Sequence, residues 1–194
     1  MNVLIPMAGA GSRFAQQGYS FPKPLIDVNG KPMIEIVVDN LNIDAHFFGT
    51  SIEIYNDLKG KELSAIVSGT GTGGTLMGCQ KRLKVIFSDM DVVAVEPSES
   101  AVMSGGKPGL HGIQGIGDGS KFLVDLNFVD KIITISTDEA KRRAVELSKE
   151  LGIFVGISAG ANILAAERYE KEYEPKGVIV TFLCDRGERY LSCL

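Results

Sequence analysis

Short apolar runs and longer segments with helical apolar spacing alternate along the chain. The runs typical of buried strands cover residues 3–8, 65–68, 92–95, 131–136 and 177–183. The segments that predict helices cover residues 32–41, 52–58, about 74–83, 137–151 and 160–172. Because strand and helix alternate, the pattern predicts an α/β fold: a three-layer, mainly parallel, doubly wound sheet in a single domain. Residues 98–120 are rich in Gly, Ser and Pro and predict a long loop.

Composition narrows the class of protein and its partners. The chain has 194 residues, of which 44% are hydrophobic and 23% charged, as in an ordinary soluble globular domain. A net charge of -4 argues against nucleic-acid and membrane-surface partners, which call for a basic face. No apolar run approaches the roughly 20 residues of a membrane helix. The first residues lack the basic and long apolar regions of a signal peptide, so we expect a cytoplasmic protein.

The cysteines and histidines do not predict a metal site. Cys79, Cys184 and Cys193 are odd in number and show no CxxC spacing, so they predict reduced thiols. The only histidines are His46 and His111. His111 stands between two glycines and is expected to have a structural role in its loop. Ser158, in the string GISAG, is interpreted as a helix N-cap rather than a nucleophile.

A first glycine loop, GAGSRF (residues 9–14), follows the first apolar run, and PKPL (residues 22–25) comes soon after. Glycines at positions 9 and 11 let backbone N–H groups approach a phosphate, and Arg13 and Lys23 would neutralise its charge. On spacing alone, a structural turn explains the glycines equally well.

The whole opening string nevertheless resembles the N-terminus of sugar-nucleotide nucleotidyltransferases, through GAGSRF, PKPL and GKPMIE. The resemblance covers residues 1–47. It implies that Gly9, Gly11, Arg13 and Lys23 contact a nucleoside triphosphate, with Mg²⁺ as a cofactor under this interpretation. That family's later segments for base recognition, sugar binding and acidic Mg²⁺ ligands are not found in the rest of the chain.

A second glycine loop, SGTGTGGT (residues 68–75), lies between a predicted strand and a predicted helix. This order brings several N–H groups and the positive end of the helix together around one point. The hydroxyls of Thr72 and Thr75 add further donors. Since so dense a glycine run seldom serves only as a turn, it predicts a small phosphate-bearing ligand.

From residue 49 to the end, the sequence resembles the C-terminal half of cysteine synthase (O-acetylserine sulfhydrylase), a fold-type II pyridoxal-phosphate (PLP) enzyme of cysteine biosynthesis. The matching strings are SGTGTGGTLMG, VEPSESAVMSGGKPGLHGIQGIG, ELGIFVGISAGAN and CDRGERYLS, the last as in the B-type isozyme. The resemblance implies that the cofactor phosphate is held by Gly71, Thr72, Gly73, Gly74 and Thr75. It also implies that the segment around Gly115 lines the cleft, and that Cys184 meets the pyridine nitrogen.

Two strings of that family are not found in these 194 residues. They are the Ser-Val-Lys-Asp-Arg-like string with the cofactor-linked lysine and the Thr-Ser-Gly-Asn-Thr-like substrate loop. No catalytic residue is therefore assigned. The chain is interpreted as a chimera of a nucleotidyltransferase-like β-loop-α unit (residues 1–48) grafted onto a PLP-phosphate-binding α/β domain (residues 49–194).

Three hypotheses follow from this interpretation. The first is a cysteine-synthase-derived domain that binds PLP without a covalent bond, or phosphate alone, with little or no turnover. The second is a nucleotide-binding protein, and the third is a folded scaffold without a ligand. An apolar surface that would face a missing half is expected to favour homo-oligomers.

Overall fold

The computed structural model describes residues 27–28 and 30–193. The chain divides into two compact units, Met1–Asn42 and Ile43–Leu194. In the first unit, strands β1 (Asp27–Val28) and β2 (Lys31–Pro32) pair antiparallel, and helix α1 (Met33–Ala45) begins directly after them. The strand predicted over 3–8 and the first glycine loop lie outside the described residues.

The second unit carries the remaining elements. A π-helical turn, His46–Thr50, leads into helix α2. The later helices and strands, in chain order, are α2 (Ser51–Leu58), β3 (Leu63–Gly69), α3 (Gly74–Ile86), β4 (Asp91–Pro97), β5 (Lys131–Ile135), α4 (Thr137–Leu151), α5 (Ile157–Tyr173) and β6 (Val178–Thr181). Short 3₁₀ turns occupy Ser98–Ser100, Leu126–Phe128 and Gly187–Tyr190.

Strands β3 to β6 form one parallel sheet in the order β5-β4-β3-β6. Alternate residues of a strand point to opposite faces, and β3 shows this directly. Ala65 and Val67 pack with α5, whereas Ile66 packs with α3. Helices α4 and α5 cover one face through Ala140, Ala161 and Ala165, and α2 and α3 cover the other. The predicted three-layer α/β fold is confirmed.

The central strands are buried on both faces, which explains why they are continuous apolar runs rather than alternating ones. Val92, Val93, Ala94 and Val95 of β4 are all fully buried. Directly after this run, the buried carboxylate of Glu96 accepts hydrogen bonds from the backbone N–H groups of Met103 and Ser104, at 2.7 and 2.9 Å, and from the Ser104 hydroxyl. Glu96 thereby fixes the start of the long loop that the composition predicts.

The starts of two helices show how each one is capped. Helix α4 begins at Thr137, as predicted, and Ser136 caps it, because Ser136 and Glu139 form a reciprocal capping box. Hydrogen bonds from the Ser136 side chain and backbone lower the pKa of Glu139 to about 2, with Arg168 adding to the effect. Helix α5 begins at Ile157 with Gly156 as its N-cap, so the predicted cap at Ser158 is wrong. Ser158 lies buried inside the first turn.

Among the helices of the described residues, none combines the length and the apolar character required to span a bilayer.

Candidate functional site

The second glycine loop lies where parallel-sheet proteins place their ligands, at the carboxyl end of a central strand. Strand β3 ends at Gly69, and helix α3 begins at Gly74. The helix N-cap is Gly73, which has no side chain to cap the first turn. The first N–H groups of a helix have no partner within it, and the helix dipole favours an anion there. The loop therefore has the geometry of a phosphate site.

Two glycines of this loop are required by close packing. An added Cβ at Gly71 would lie 2.6 Å from the carbonyl oxygen of Gly115. Gly73 has a φ of +89°, and a Cβ there would lie 2.5 Å from Cγ2 of Val124. Neither position can accept a side chain without moving the neighbouring backbone or side chain. Glycine at both positions therefore lets the loop backbone pack closely against the segments that contain Gly115 and Val124.

A second segment packs against this loop, and it is the one predicted from the string GIQGIG. The backbone N–H of Gly117 donates to the carbonyl of Thr70 at 3.0 Å, and Ile116 covers Gly69. The N–H of Leu123 donates to the carbonyl of Thr72 at 3.0 Å. Gly115 thus lies beside the predicted phosphate loop, as the sequence interpretation requires, although its contact with a ligand stays a prediction.

Asn162 joins the two ends of the site, and the sequence analysis did not identify it. This buried side chain on α5 accepts a hydrogen bond from the N–H of Gly69 at 2.6 Å. Its amide group donates to the carbonyl of Phe182 at 2.8 Å. One side chain therefore holds the end of β3, just before residues 71–75, next to the chain that leads from β6 to Cys184.

The predicted ring contact, Cys184, is an exposed residue just beyond β6. Surrounding protein atoms desolvate the thiol and, together with the negative charge of Asp185, raise its pKa. Asp185 in turn accepts a hydrogen bond from the Tyr190 hydroxyl, and its carbonyl accepts one from the N–H of Gly156. The thiol is therefore held as a neutral group at neutral pH on an anchored segment.

The two histidines have different surroundings. His111 bonds the Gly117 carbonyl through Nε2 at 2.9 Å and accepts the N–H of Ile113 at Nδ1, which confirms its structural role in the loop. His46, which the sequence analysis left without a role, lies against the end of the second glycine loop. Its Nε2 is 3.1 Å from the hydroxyl oxygen of Thr75.

The structure brings Gly71–Thr75 and Gly115 together. Cys184 follows β6, the parallel neighbour of β3, so it comes after the carboxyl end of the adjacent strand. Gly9, Gly11, Arg13 and Lys23, predicted to bind a nucleotide, lie outside the described residues. Within 27–28 and 30–193, no group of three or more His, Cys, Asp or Glu side chains is arranged to hold a metal ion.

Comparisons with known proteins agree with this geometry. Residues 15–185 match the family model described as pyridoxal-phosphate dependent enzyme. Cysteine synthase of Staphylococcus aureus is 41% identical over 154 residues, covering 78% of this chain and 49% of the relative. Cysteine synthase B of Campylobacter jejuni is 42% identical over 154 residues, with 78% and 50% covered.

The crystal structure of O-acetyl serine sulfhydrylase isoform 3 from Entamoeba histolytica superposes with a TM-score of 0.73 at 44% identity. That match covers 78% of this chain and 45% of the other. The chain thus spans about half the length of the relatives it matches. The family match begins at residue 15, inside the segment that resembles nucleotidyltransferases. The comparisons do not support the resemblance to nucleotidyltransferases. The chain belongs to the family of pyridoxal-phosphate dependent enzymes and is cysteine synthase-like over most of its length.

Proposed function

We propose that this chain is the cofactor-phosphate-binding part of a PLP-dependent β-replacement enzyme of the cysteine synthase type. The observation that carries the proposal is the position of residues 71–75, the glycine-rich segment that leads into the first turn of α3. In this proposal the chain alone binds PLP, or phosphate, without a covalent bond and with little or no turnover.

The residues present fit a phosphate ester. Gly71 and Gly73 let the loop backbone pack closely against Gly115 and Val124, and the N-terminus of α3 supplies N–H donors and a favourable dipole. The Thr75 hydroxyl lies in the first turn of the same helix. Gly71, Thr72, Gly73, Gly74 and Thr75 would hold the phosphate, with Gly115 beside them.

Cys184 fits the opposite end of the cofactor. A thiol with a raised pKa is neutral at pH 7 and can donate only a weak hydrogen bond to a ring nitrogen. Such a partner would leave the pyridine nitrogen without a proton. When bound, PLP supplies the electron sink for elimination and replacement at the β-carbon of an amino acid. In this proposal the chain's own residues bind and orient the cofactor but do not attach it.

The nucleotide-binding alternative depends on Gly9, Gly11, Arg13 and Lys23, and it stays a prediction, as does the chimeric origin of the chain. Mg²⁺-dependent nucleotide binding that is lost in Lys23→Ala would favour it over the PLP proposal. A scaffold without a ligand would bind neither compound.

Self-association is also proposed, through surface that the missing half of a longer relative would cover. Strand β6 forms one edge of the described sheet, and the large apolar side chains of Leu110, Phe122 and Leu183 are exposed. Exposed apolar surface of this kind favours contact between copies of a chain.

Titration with PLP and with pyridoxal, which lacks the phosphate, tests the proposal. We expect PLP to raise the thermal midpoint, because a ligand at 100 times its Kd stabilises the native state by about 2.7 kcal/mol. Pyridoxal at the same concentration should have little effect. Borohydride treatment followed by mass analysis should find no single lysine labelled stoichiometrically. Equal stabilisation by both compounds, or by neither, would contradict a phosphate-based site.

A further inference from the structure

His46 joins two hydroxyl groups through its two ring nitrogens. Nδ1 lies 2.9 Å from the hydroxyl oxygen of Thr50, and Nε2 lies 3.1 Å from that of Thr75. The His46–Thr50 turn packs against α3, where the backbone of Ile43 and the Cβ of His46 pass directly over Gly78. The ring is therefore fixed beside the first turn of the helix that bears the phosphate loop.

The direction of this three-residue chain of hydrogen bonds is open, because a hydroxyl can either donate or accept. In one direction Thr50 donates to Nδ1, and Nε2–H donates to the Thr75 oxygen. The Thr75 proton is then free to point toward an anion. In the other direction Thr75 donates to Nε2, so its oxygen turns lone pairs toward the loop and repels a phosphate.

His111 has no such freedom. A carbonyl oxygen faces its Nε2 and a backbone N–H faces its Nδ1, so only the tautomer with the proton on Nε2 satisfies both partners. Both partners of His46 are hydroxyls, and the ligand can therefore select its tautomer. Partial burial also lowers the pKa of His46, which keeps the ring neutral at pH 8.

We propose that His46 is a positioning residue for the phosphate: in its Nε2–H tautomer it donates to Thr75 and so commits the Thr75 proton to the anion. The proposal deepens, and depends on, the phosphate site proposed above. The net charge of every residue is unchanged: where the ring changes tautomer, it loses the Nδ1 proton to solvent and gains a proton from solvent at Nε2.

Side-chain replacements of matched size test the role of each ring nitrogen. In His46→Gln the terminal amide reaches the position of Nε2 and can still donate to Thr75. In His46→Asn the amide reaches only the position of Nδ1. With inorganic phosphate at pH 8 as the probe, measured by calorimetry, we expect His46→Gln to bind within about threefold of wild type. His46→Asn should bind about tenfold or more weakly, the effect of one hydrogen bond to a charged group.

A double-mutant cycle then asks whether His46 acts through Thr75. We expect Thr75→Val to weaken binding by about tenfold or more, Thr75→Ser to preserve it, and His46→Asn to add nothing to Thr75→Val. Thermal midpoints of all variants without phosphate identify any that fail to fold. Thr75→Ser and His46→Gln are the conservative variants. If the weaker binding came from a general packing defect, these two variants would also bind phosphate weakly.

The ring itself gives a spectroscopic readout. The chain has two histidines, and His46→Gln assigns their signals in long-range ¹H–¹⁵N NMR spectra. We expect saturating phosphate to leave His111 unchanged and to place His46 in the Nε2–H tautomer.

Three outcomes overturn the proposal. Equal phosphate binding by wild type, His46→Asn and Thr75→Val overturns the role of His46 and Thr75 alone, provided that Gly73→Ala binds at least about tenfold more weakly. An Nδ1–H tautomer of His46 in the phosphate complex overturns the proposed direction of the hydrogen bonds. Absence of phosphate binding by the wild-type protein overturns this inference and the proposed phosphate site together.

Discussion

Replacement of Gly73 by alanine is expected to reduce the affinity for PLP by at least about tenfold. At a φ of +89° an alanine is strained, and its Cβ would lie 2.5 Å from Cγ2 and 3.1 Å from the backbone nitrogen of Val124. The loop would relieve this overlap by moving away from Val124, so its N–H groups would no longer converge on one anion. We also expect the free energy of unfolding to fall by about 1–3 kcal/mol.

Gly105→Ala is the matched control for this change. Gly105 has a φ of +85°, nearly that of Gly73, but an added Cβ would have no atom within 4 Å. Both variants therefore carry similar backbone strain, and only Gly73→Ala displaces the phosphate loop. Equilibrium dialysis with PLP should show normal affinity for Gly105→Ala. Equal affinities for the two variants would mean that the loop does not bind the phosphate.

Asn162→Ala is expected to have a large effect on stability. The change leaves the N–H of Gly69 and the carbonyl of Phe182 without their partner in a region where Asn162 is 1% exposed. We expect the free energy of unfolding to fall by about 2–4 kcal/mol, as for two buried polar groups left unpaired. Urea denaturation measures it. Asn127, whose side chain donates to the exposed Asp125 carboxylate, is the control, and Asn127→Ala should cost less than about 0.5 kcal/mol.

Asn162→Asp separates the two hydrogen bonds of this side chain. A carboxylate still accepts from Gly69 but repels the Phe182 carbonyl, whereas a protonated carboxyl group can donate to it. Burial should raise the pKa of the introduced acid above the usual value of about 3.9, so the folded state binds the proton more tightly than the unfolded state. The destabilisation relative to wild type is therefore expected to be greatest at neutral pH and to decrease as pH falls. A pH-independent difference would show that the pKa of the introduced acid is not raised, which would contradict its burial against the Phe182 carbonyl.

Local patterns predicted most of the second unit. Buried strands such as β4 are continuous apolar runs, and glycine density predicted the loop between β3 and α3. The end of α4 at Gly152 also follows from a local signal, since this residue adopts a φ of +68°. The bounds of α4 agree with the helix predicted over 137–151, but its cap was not predicted, because the sequence offers both Ser136 and Thr137 for that role. Only the reciprocal hydrogen bonds with Glu139 decide between them.

The residues that join the site were not predictable in the same way. Asn162 bonds Gly69, which lies 93 positions earlier, and His46 bonds Thr75, which lies 29 positions later. Such contacts depend on the order of strands and on the packing of helices, which local periodicity does not encode. One signal was available: Asn162 is an amide within a helical run of small and apolar residues, a pattern that suggests a buried hydrogen-bonded side chain.

One ligand is expected to span the loop of residues 71–75 and Cys184, and protection of the Cys184 thiol tests this most directly. Iodoacetamide labelling of the native protein can be followed by mass spectrometry, with half-buried Cys193 as the internal control. Pyridoxine 5′-phosphate is the probe, because it has the ring and phosphate of PLP but no aldehyde to react with thiols or lysines. At ten times its Kd we expect it to slow the labelling of Cys184 about tenfold and to leave Cys193 unchanged.

Inorganic phosphate, which fills only the loop, should protect neither thiol. Labelling of Cys184 at an unchanged rate with the probe bound, or equal protection by phosphate alone, would contradict the account.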